Sequence, residues 1–129
     1  MESLLPESYR NFLRVTNGMF LYCMSFFGWT RVQPTFQCHS LVTANQFWIN
    51  GYARLPKDVV HIGSRKYSWT ENVGYFMTPQ NEFYAFRKSG ENTAQWGGLD
   101  ALLRAELPIA RELYEDTKKR LADATQKHP

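Results

Sequence analysis

The segment from Leu5 to Leu21, LPESYRNFLRVTNGMFL, constrains the fold of this chain more than any other stretch. Pro6 suits the first turn of a helix, the carboxylate of Glu7 suits the positive helix N-terminus, and an Asn-Gly pair provides left-handed residues at which helices end. Between these signals apolar residues recur with helical spacing and so form one stripe on the helix. Its members are Tyr9, Phe12, Leu13 and Thr16. The sequence therefore predicts a short amphipathic helix that ends at Asn17-Gly18 and docks its apolar face on the rest of the molecule.

The residues after this helix predict a series of strands. Met19–Phe27 is almost wholly apolar and does not alternate with polar residues, which predicts one strand covered on both faces. Later stretches are β-branched or aromatic and are bounded by glycine, proline or asparagine, as strands usually are. They are Val59–Gly63, Val73–Met77, Glu82–Arg87 and Thr93–Trp96. The short link Thr78–Asn81 predicts a hairpin between the second and third of these strands.

The segments between the strands are less regular. Arg31–Ser40 contains proline and has no period, so we expect a loop. Leu41–Phe47 fits a helix or a strand, with a helical turn through Trp48 and an end at Asn50-Gly51 favoured. Ser64–Asn72 is polar with two aromatic residues and predicts an exposed loop.

From Leu99 onwards the apolar residues recur every three to four positions, which is the spacing of a helix. One helix is expected up to Leu107, and a second is expected from Pro108 to about Gln126, because proline suits the first position of a helix. The order of elements predicts an α+β domain, with one mostly antiparallel central sheet flanked on a single face by an N-terminal helix and C-terminal helices. We expect residues 1–129 to form a single domain, in which 114–129 is a charged helical tail.

Composition excludes several classes of protein. A formal net charge of +3 is far below the charge density of a dedicated nucleic-acid binder. Two cysteines do not make a secreted disulfide framework. Met1–Arg10 lacks the features of a signal peptide, and the apolar run Met19–Trp29 is too short to cross a membrane. We therefore expect a cytoplasmic protein that has no membrane association.

The sequence contains few groups in patterns that carry chemistry. The residues that suggest a metal are Cys23, Cys38, His39 and His61, but their spacing matches no zinc motif. Phosphate-binding and hydrolytic motifs are missing, and the carboxylates are scattered, among them Glu71, Glu82, Glu91 and Asp100. We therefore predict no catalytic residue, no cofactor and no metal ligand, so the chain is expected not to be an enzyme. A nucleophilic Cys38-His39 pair is the remaining catalytic alternative.

Arg65–Trp69 interleaves cations with aromatic residues. That mixture stacks bases and grips phosphates in nucleic-acid binders, and it also dominates protein-binding hot spots. Arg87-Lys88 adds only two further charges. A solvated loop with one packed tryptophan is the alternative without a function, so the segment by itself leaves all three interpretations open.

Several separated pieces of the sequence together resemble a known family. They are LPESYRNFLRVTNG, an apolar strand ending at Phe27-Gly28, Asn45-x-x-Trp48, Val60-His61-Ile62-Gly63, Gly74-Tyr75-Phe76 and the helix LDALLRAEL. In this order they resemble the SUKH superfamily of bacterial immunity proteins, of the Smi-Knr type, nearest its YrhA-like branch. Members usually carry a helix ahead of the LPxxY element, where this sequence has Met1–Leu4. The branch tends to have a Phe-Asn-Gly step where Leu21-Tyr22-Cys23 stands here.

The resemblance implies an α+β fold with a central sheet flanked by helices. It also implies a non-enzymatic immunity protein that binds and neutralises a cognate polymorphic or contact-dependent toxin, often a nuclease, by occluding its active site. The residues of the LPxxYxxFLxxTNG element are interpreted as determinants of the fold. The predicted partner-binding residues lie on loops at the ends of the sheet and are Trp29, Arg31, Arg65, Tyr67, Trp69 and Glu71. The alternatives are an orphan interaction or scaffolding module of the same fold and a weak nucleic-acid binder.

Overall fold

The computed structural model describes residues 7–15, 18–28, 41–66 and 71–127. Within these ranges one antiparallel sheet has six strands, whose spatial order follows their order in the chain. The helices are α1 (Glu7–Val15), α2 (Leu41–Gln46) with a 3₁₀ turn (Trp48–Gly51), and α3 (Leu99–Lys127). The strands are β1 (Met19–Leu21), β2 (Met24–Phe26), β3 (Val60–Lys66), β4 (Asn72–Met77), β5 (Phe83–Arg87) and β6 (Asn92–Trp96). The predicted α+β fold class is confirmed.

The two faces of the sheet carry different layers. Neighbouring residues of a strand point to opposite faces, and both Tyr75 and Phe76 of β4 are fully buried. Tyr75 stacks on Phe26 of β2, with ring centroids 5.4 Å apart, and its hydroxyl donates to Glu106 of α3 at 2.9 Å. Phe76 packs instead against Tyr52, which follows the 3₁₀ turn, with centroids 5.0 Å apart. The long helix therefore covers the face of Tyr75, and the segment after the 3₁₀ turn covers the face of Phe76.

Helix α1 forms as its sequence pattern predicts. Tyr9 is fully buried and Phe12 packs against the core, whereas Arg10 and Arg14 are exposed. The Tyr9 hydroxyl lies 2.6 Å from the carbonyl oxygen of Phe27 and 3.1 Å from that of Ile62, so the phenol ties the helix to two segments of backbone. Gly18 has a φ of 97°, a left-handed conformation that glycine adopts without strain.

The first apolar run is a hairpin and not the single strand that the sequence predicts. Met19 pairs with Phe26 and Leu21 pairs with Met24, which leaves only two residues for the turn. Tyr22 occupies that turn with a φ of 58°. The prediction failed because the turn contains neither the glycine nor the asparagine that usually marks a left-handed position.

Strand β3 is longer than predicted. Gly63 does not end it, because a bulge between His61 and Gly63 shifts the register and pairing with β4 then continues to Lys66. The expected exposed loop over Ser64–Asn72 is therefore wrong at both ends. Ser64–Lys66 belongs to β3, and Asn72 belongs to β4.

The predicted break at Pro108 is also wrong, since α3 continues through it for 29 residues. Proline inside a helix removes one hydrogen bond and crowds the preceding turn. Here three buried residues on one side of the helix, Leu102, Glu106 and Ala110, bracket the proline and hold both halves against the sheet. Beyond Tyr114 almost every described side chain is exposed.

No helix in the described ranges is both long enough and apolar enough to span a membrane. The predicted loop over Arg31–Ser40 lies outside the described residues, as do Thr16 and Asn17.

Candidate functional site

A cavity of about 450 Å³ opens on the face of the sheet that carries Phe76. We call it the His61 cleft. The strands supply part of its lining, and the α2–3₁₀ segment with the residues around it supplies the rest. The lining residues are Phe27, Phe47, Trp48, Gly51, Tyr52, His61, Ser64, Asn72 and Lys88.

His61 is enclosed by aromatic rings. Its imidazole stacks on Phe76 at a centroid distance of 4.5 Å and an interplanar angle of 17°. The ring of Phe27 meets it edge to face at 4.9 Å, and the ring of Tyr52 does so at 5.2 Å. Only 2% of His61 is exposed. The imidazole is therefore held in one orientation by packing.

Neither ring nitrogen of His61 has a hydrogen-bond partner among the described residues. Burial lowers the pKa of His61 from 6.5 to about 4; the backbone of Gly63 acts in the opposite direction, and the positive charge of Lys88, a smaller effect, lowers the pKa further. The side chain is neutral at physiological pH as a result. A neutral imidazole has one hydrogen-bond donor and one acceptor.

The backbone of His61 is held by Asn45 of α2. The Asn45 side-chain amide donates to the His61 carbonyl oxygen at 2.9 Å, and its oxygen accepts from the His61 N–H at 2.8 Å. This pair of bonds replaces ladder bonds next to the bulge, because a side-chain amide has the same donor and acceptor as a peptide group. Asn45 thereby fixes α2 against β3 and positions the cleft.

Tyr52 packs over Gly74 of β4. A Cβ at Gly74 would lie 2.6 Å from the Tyr52 hydroxyl oxygen, so the phenol occupies the space that any larger residue would need. Burial raises the pKa of Tyr52 to about 12. The glycine therefore allows an aromatic wall to form on this face.

Two exposed aromatic residues and one exposed cation line the cleft. Phe47 is 66% exposed and Trp48 is 37% exposed, while the Trp48 ring rests edge to face on Phe27 at 5.5 Å. Lys88, which also lines the cleft, is exposed, and its carbonyl oxygen accepts from the Ala53 N–H at 3.0 Å. Exposed aromatic residues beside a cation are typical of surfaces that bind other molecules.

Pieces of sequence that are far apart in the chain meet around this cleft. Phe27, Trp48, His61, Gly74 and Phe76 belong to four separate pieces on which the family resemblance is based. The sequence predicts most of these residues as strand or turn residues. Their meeting depends on the β3 bulge and on the packing of the 3₁₀ turn, neither of which has a local sequence signal.

Four of the six predicted partner-binding residues, namely Trp29, Arg31, Tyr67 and Trp69, lie outside the described residues. Their roles stay predictions. The other two, Arg65 and Glu71, are described and lie at opposite ends of the segment that was predicted to be a loop.

Arg65 lies within β3 and is only 7% exposed, so its predicted position on an exposed loop is wrong. Its Nε donates to Glu106 Oε1 of α3 at 2.9 Å, and the Tyr75 hydroxyl donates to the same oxygen at 2.9 Å. Burial, followed by the negative charge of Glu106, raises the pKa of Tyr75. This buried ion pair attaches α3 to the sheet and leaves little of Arg65 to contact a partner.

Glu106 was not singled out by sequence reasoning. It is 3% exposed on the buried side of α3, between Leu102 and Ala110. A carboxylate at an otherwise apolar position of a helix stripe is the signal that could have found it, since a buried charge requires a partner.

Glu71 is half-buried beside β4 and pairs with Arg87 of β5. Its two carboxylate oxygens accept from Arg87 Nε at 2.8 Å and from Nη2 at 2.6 Å. The hydrogen bonds from Arg87 hold the pKa of Glu71 below its usual range. The geometry orients the carboxylate, while its predicted contact with a partner stays a prediction.

The described ranges contain no group of three or more His, Cys, Asp or Glu residues that could hold a metal ion. Cys23 lies in the β1–β2 turn and not inside a strand, and its thiol donates to the Ala110 carbonyl oxygen at 3.3 Å. Cys38 and His39 lie outside the described residues. The cleft offers aromatic surface, the polar side chains of Ser64 and Asn72 and one cation, which together suit reversible binding.

Comparisons with protein-family models, with curated proteins and with solved structures found no match to this chain.

Proposed function

We propose that this chain is a non-enzymatic immunity protein that binds a cognate bacterial protein toxin and occludes its active site. The observation that carries the proposal is the pair of exposed aromatic residues, Phe47 and Trp48, at the mouth of the His61 cleft. The resemblance to the SUKH superfamily supplies the class of partner, and the α+β fold agrees with it.

The aromatic pair suits a protein partner. Tryptophan and other large side chains provide most of the binding energy at interfaces when they are buried at the centre of the contact. The Trp48 ring is already held against Phe27, so little side-chain freedom is lost when a partner covers it. A rigid aromatic edge of this kind can enter the mouth of an enzyme's active site and exclude substrate.

The charges around the cleft favour a toxin surface that carries carboxylates. Arg54 and Lys88 are exposed, and the backbone bond between Ala53 and Lys88 brings the 52–54 segment against the β5–β6 turn. Negative charges on the partner would raise the rate of association more than they would raise the affinity. Trp29, Arg31, Tyr67 and Trp69 stay predicted contacts of the same interface, whereas Arg65 is now assigned to the buried ion pair.

The test begins with the tagged chain in its native cells. The protein that copurifies with it is identified, expressed separately and assayed for toxicity and enzymatic activity, with and without added chain. Stoichiometric inhibition of a toxic enzyme supports the proposal. A partner that binds without being inhibited refutes it and indicates a scaffolding module. Salt-sensitive binding of RNA or DNA in place of a protein refutes it in favour of a nucleic-acid binder.

Replacement of Phe47 and Trp48 by alanine then tests the assigned surface. We expect the double variant to lose at least about tenfold in affinity for the toxin. Leu121→Ala is the matched control, because Leu121 is a similarly exposed apolar residue near the end of α3. Equal affinity of the double variant and the control would show that the contact surface lies elsewhere.

A further inference from the structure

The side of α3 that packs on the sheet continues beyond the sheet. The last buried side chain among those described in this helix is Ala110, which follows Leu102 and Glu106 on the packed side. Apolar or small residues then continue in the same steps of three and four positions, which keeps them on one side of a helix. They are Leu113, Thr117, Leu121 and Ala124, and we call them the α3 overhang. Its first two members are half-buried, whereas Leu121 is 61% exposed.

The charges along the α3 overhang are divided into two blocks on either side of Thr117. The carboxylate block precedes it, and the cation block follows it. The two blocks are Glu112, Glu115 and Asp116, and then Lys118, Lys119 and Arg120. Within one helix Arg120 Nε donates to Asp116 Oδ2 at 3.1 Å, and both side chains are exposed. Because exposed ion pairs are weak in water, they can exchange for pairs with another molecule at little cost.

We propose that two copies of this chain pair through the α3 overhang as an antiparallel, two-fold symmetric dimer centred on Thr117. With that centre Leu113 of one copy comes level with Leu121 of the other, and symmetry repeats the contact. Arg111 and Asp123, which are six positions from Thr117 on either side, also come level. Each carboxylate block then lies beside a cation block, whereas a parallel pair would place like charges together. The inference goes beyond the proposed function and does not depend on it.

A cavity lies where α3 leaves the sheet, and it has room for the leucine of a second copy. Its volume is about 550 Å³, and its lining includes Arg65 of β3 and, from α3, Ile109 and Leu113. The carboxylate block also lines it, with Lys119. The chain's own Leu121 cannot enter this cavity, because a continuous helix holds it about 12 Å along the axis from Leu113. A second copy can bring both its leucine and its cation block there.

Dimerisation through α3 leaves the proposed toxin-binding surface open. Helix α3 covers the face of the sheet that carries Tyr75, while Phe47 and Trp48 line the cleft on the opposite face. The contact from Ala110 to Ala124 is only about 21 Å long, so we expect a dimer that dissociates on dilution.

Analytical ultracentrifugation of the intact chain between roughly 1 µM and 1 mM tests the dimer directly. We expect monomer at the low end of this range and dimer at the high end. Leu121→Ala should weaken association at least about thirtyfold, because each dimer loses two leucine contacts. Phe47→Ala is the matched control, since Phe47 is similarly exposed, at 66%, and lies on the other face of the sheet. A wild type that stays monomeric throughout, or equal weakening by the two substitutions, would overturn the inference.

Charge exchange tests the antiparallel direction. Arg120→Asp places like charges across the two-fold axis and should weaken the dimer about tenfold. Adding Asp116→Arg to it restores opposite charges, both within each helix and between antiparallel helices, and should restore association. A double variant as weak as the single one would contradict the antiparallel arrangement. Loss of toxin binding in Leu121→Ala, with no self-association of the wild type, would assign the α3 overhang to the toxin and also overturn the inference.

Discussion

Protonation of His61 should destabilise the fold as the pH falls. Burial, reinforced by Lys88, lowers the pKa of this residue from 6.5 to about 4 in the folded chain. Between these two values the unfolded chain binds the proton and the folded chain does not. Stability linked to His61 is therefore fully present above pH 6.5, is lost as the pH falls towards 4, and does not change further below that.

The structure gives the size of this effect. Each unit of pKa difference corresponds to about 1.4 kcal/mol, so the drop from 6.5 to about 4 is worth about 3 kcal/mol. That is a large share of the roughly 5–15 kcal/mol by which a typical domain is stable. No described group other than the backbone of Gly63 favours the charged form of His61.

Urea unfolding of the wild type and of His61→Phe, measured across pH 7 to 4, isolates this contribution. Phenylalanine retains an aromatic ring but does not titrate, and all other ionisable groups are common to both proteins. We expect the wild type to lose about 3 kcal/mol more than the variant over this range. Parallel pH profiles would refute the reasoning, because they would mean that the imidazole is solvated or paired in the folded protein.

Three further substitutions test the supports of the cleft and of α3. Glu106→Gln should lower the free energy of unfolding by about 3 kcal/mol in chemical denaturation, because it leaves a buried arginine without its counter-charge; a loss below about 1 kcal/mol would show that the pair is solvated. Asn45→Ala should cost about 2 kcal/mol by the same measurement, since two hydrogen bonds to a buried strand backbone disappear, and an unchanged midpoint would contradict the assigned role. Gly74→Ala should displace Tyr52 and lower its pKa from about 12 towards 10.0 in an ultraviolet titration. Gly97→Ala is the matched control for that titration, because an added methyl group there meets nothing within 4 Å.

The sequence predicts those parts of the fold that local patterns encode. The stripe through Tyr9 and Phe12 predicts α1, and the β-branched and aromatic residues on either side of the short link Thr78–Asn81 predict the β4–β5 hairpin; both are confirmed. The turn at Tyr22 carries no glycine or asparagine, and Pro108 is a typical helix-start residue that tertiary packing instead accommodates inside α3. In both places the rest of the molecule overrides a local preference.

The candidate site is harder to predict, because its residues come from separate elements. The sequence predicts His61 as an ordinary strand residue. Only the folded chain shows that three aromatic rings surround it. Arg65 and Glu106 are separated by 41 positions, so their pairing is visible only in three dimensions. A sequence pattern can indicate that a charge lies on an apolar stripe, but the partner that neutralises it depends on how α3 crosses the sheet.

The strand order of the sheet has a consequence for how the chain folds. Within the meander of β3 to β6 each strand pairs with the next one in the chain, so the meander can form from contacts that are local in the sequence. The β1–β2 hairpin joins it through pairs such as Met24 with Arg65, which must close a loop of about 40 residues. Helix α1 depends on both units, because the Tyr9 hydroxyl bonds to Phe27 and to Ile62. Pulsed hydrogen exchange should therefore show protection in β3–β5 first and in α1 last, and early protection of α1 would contradict this order.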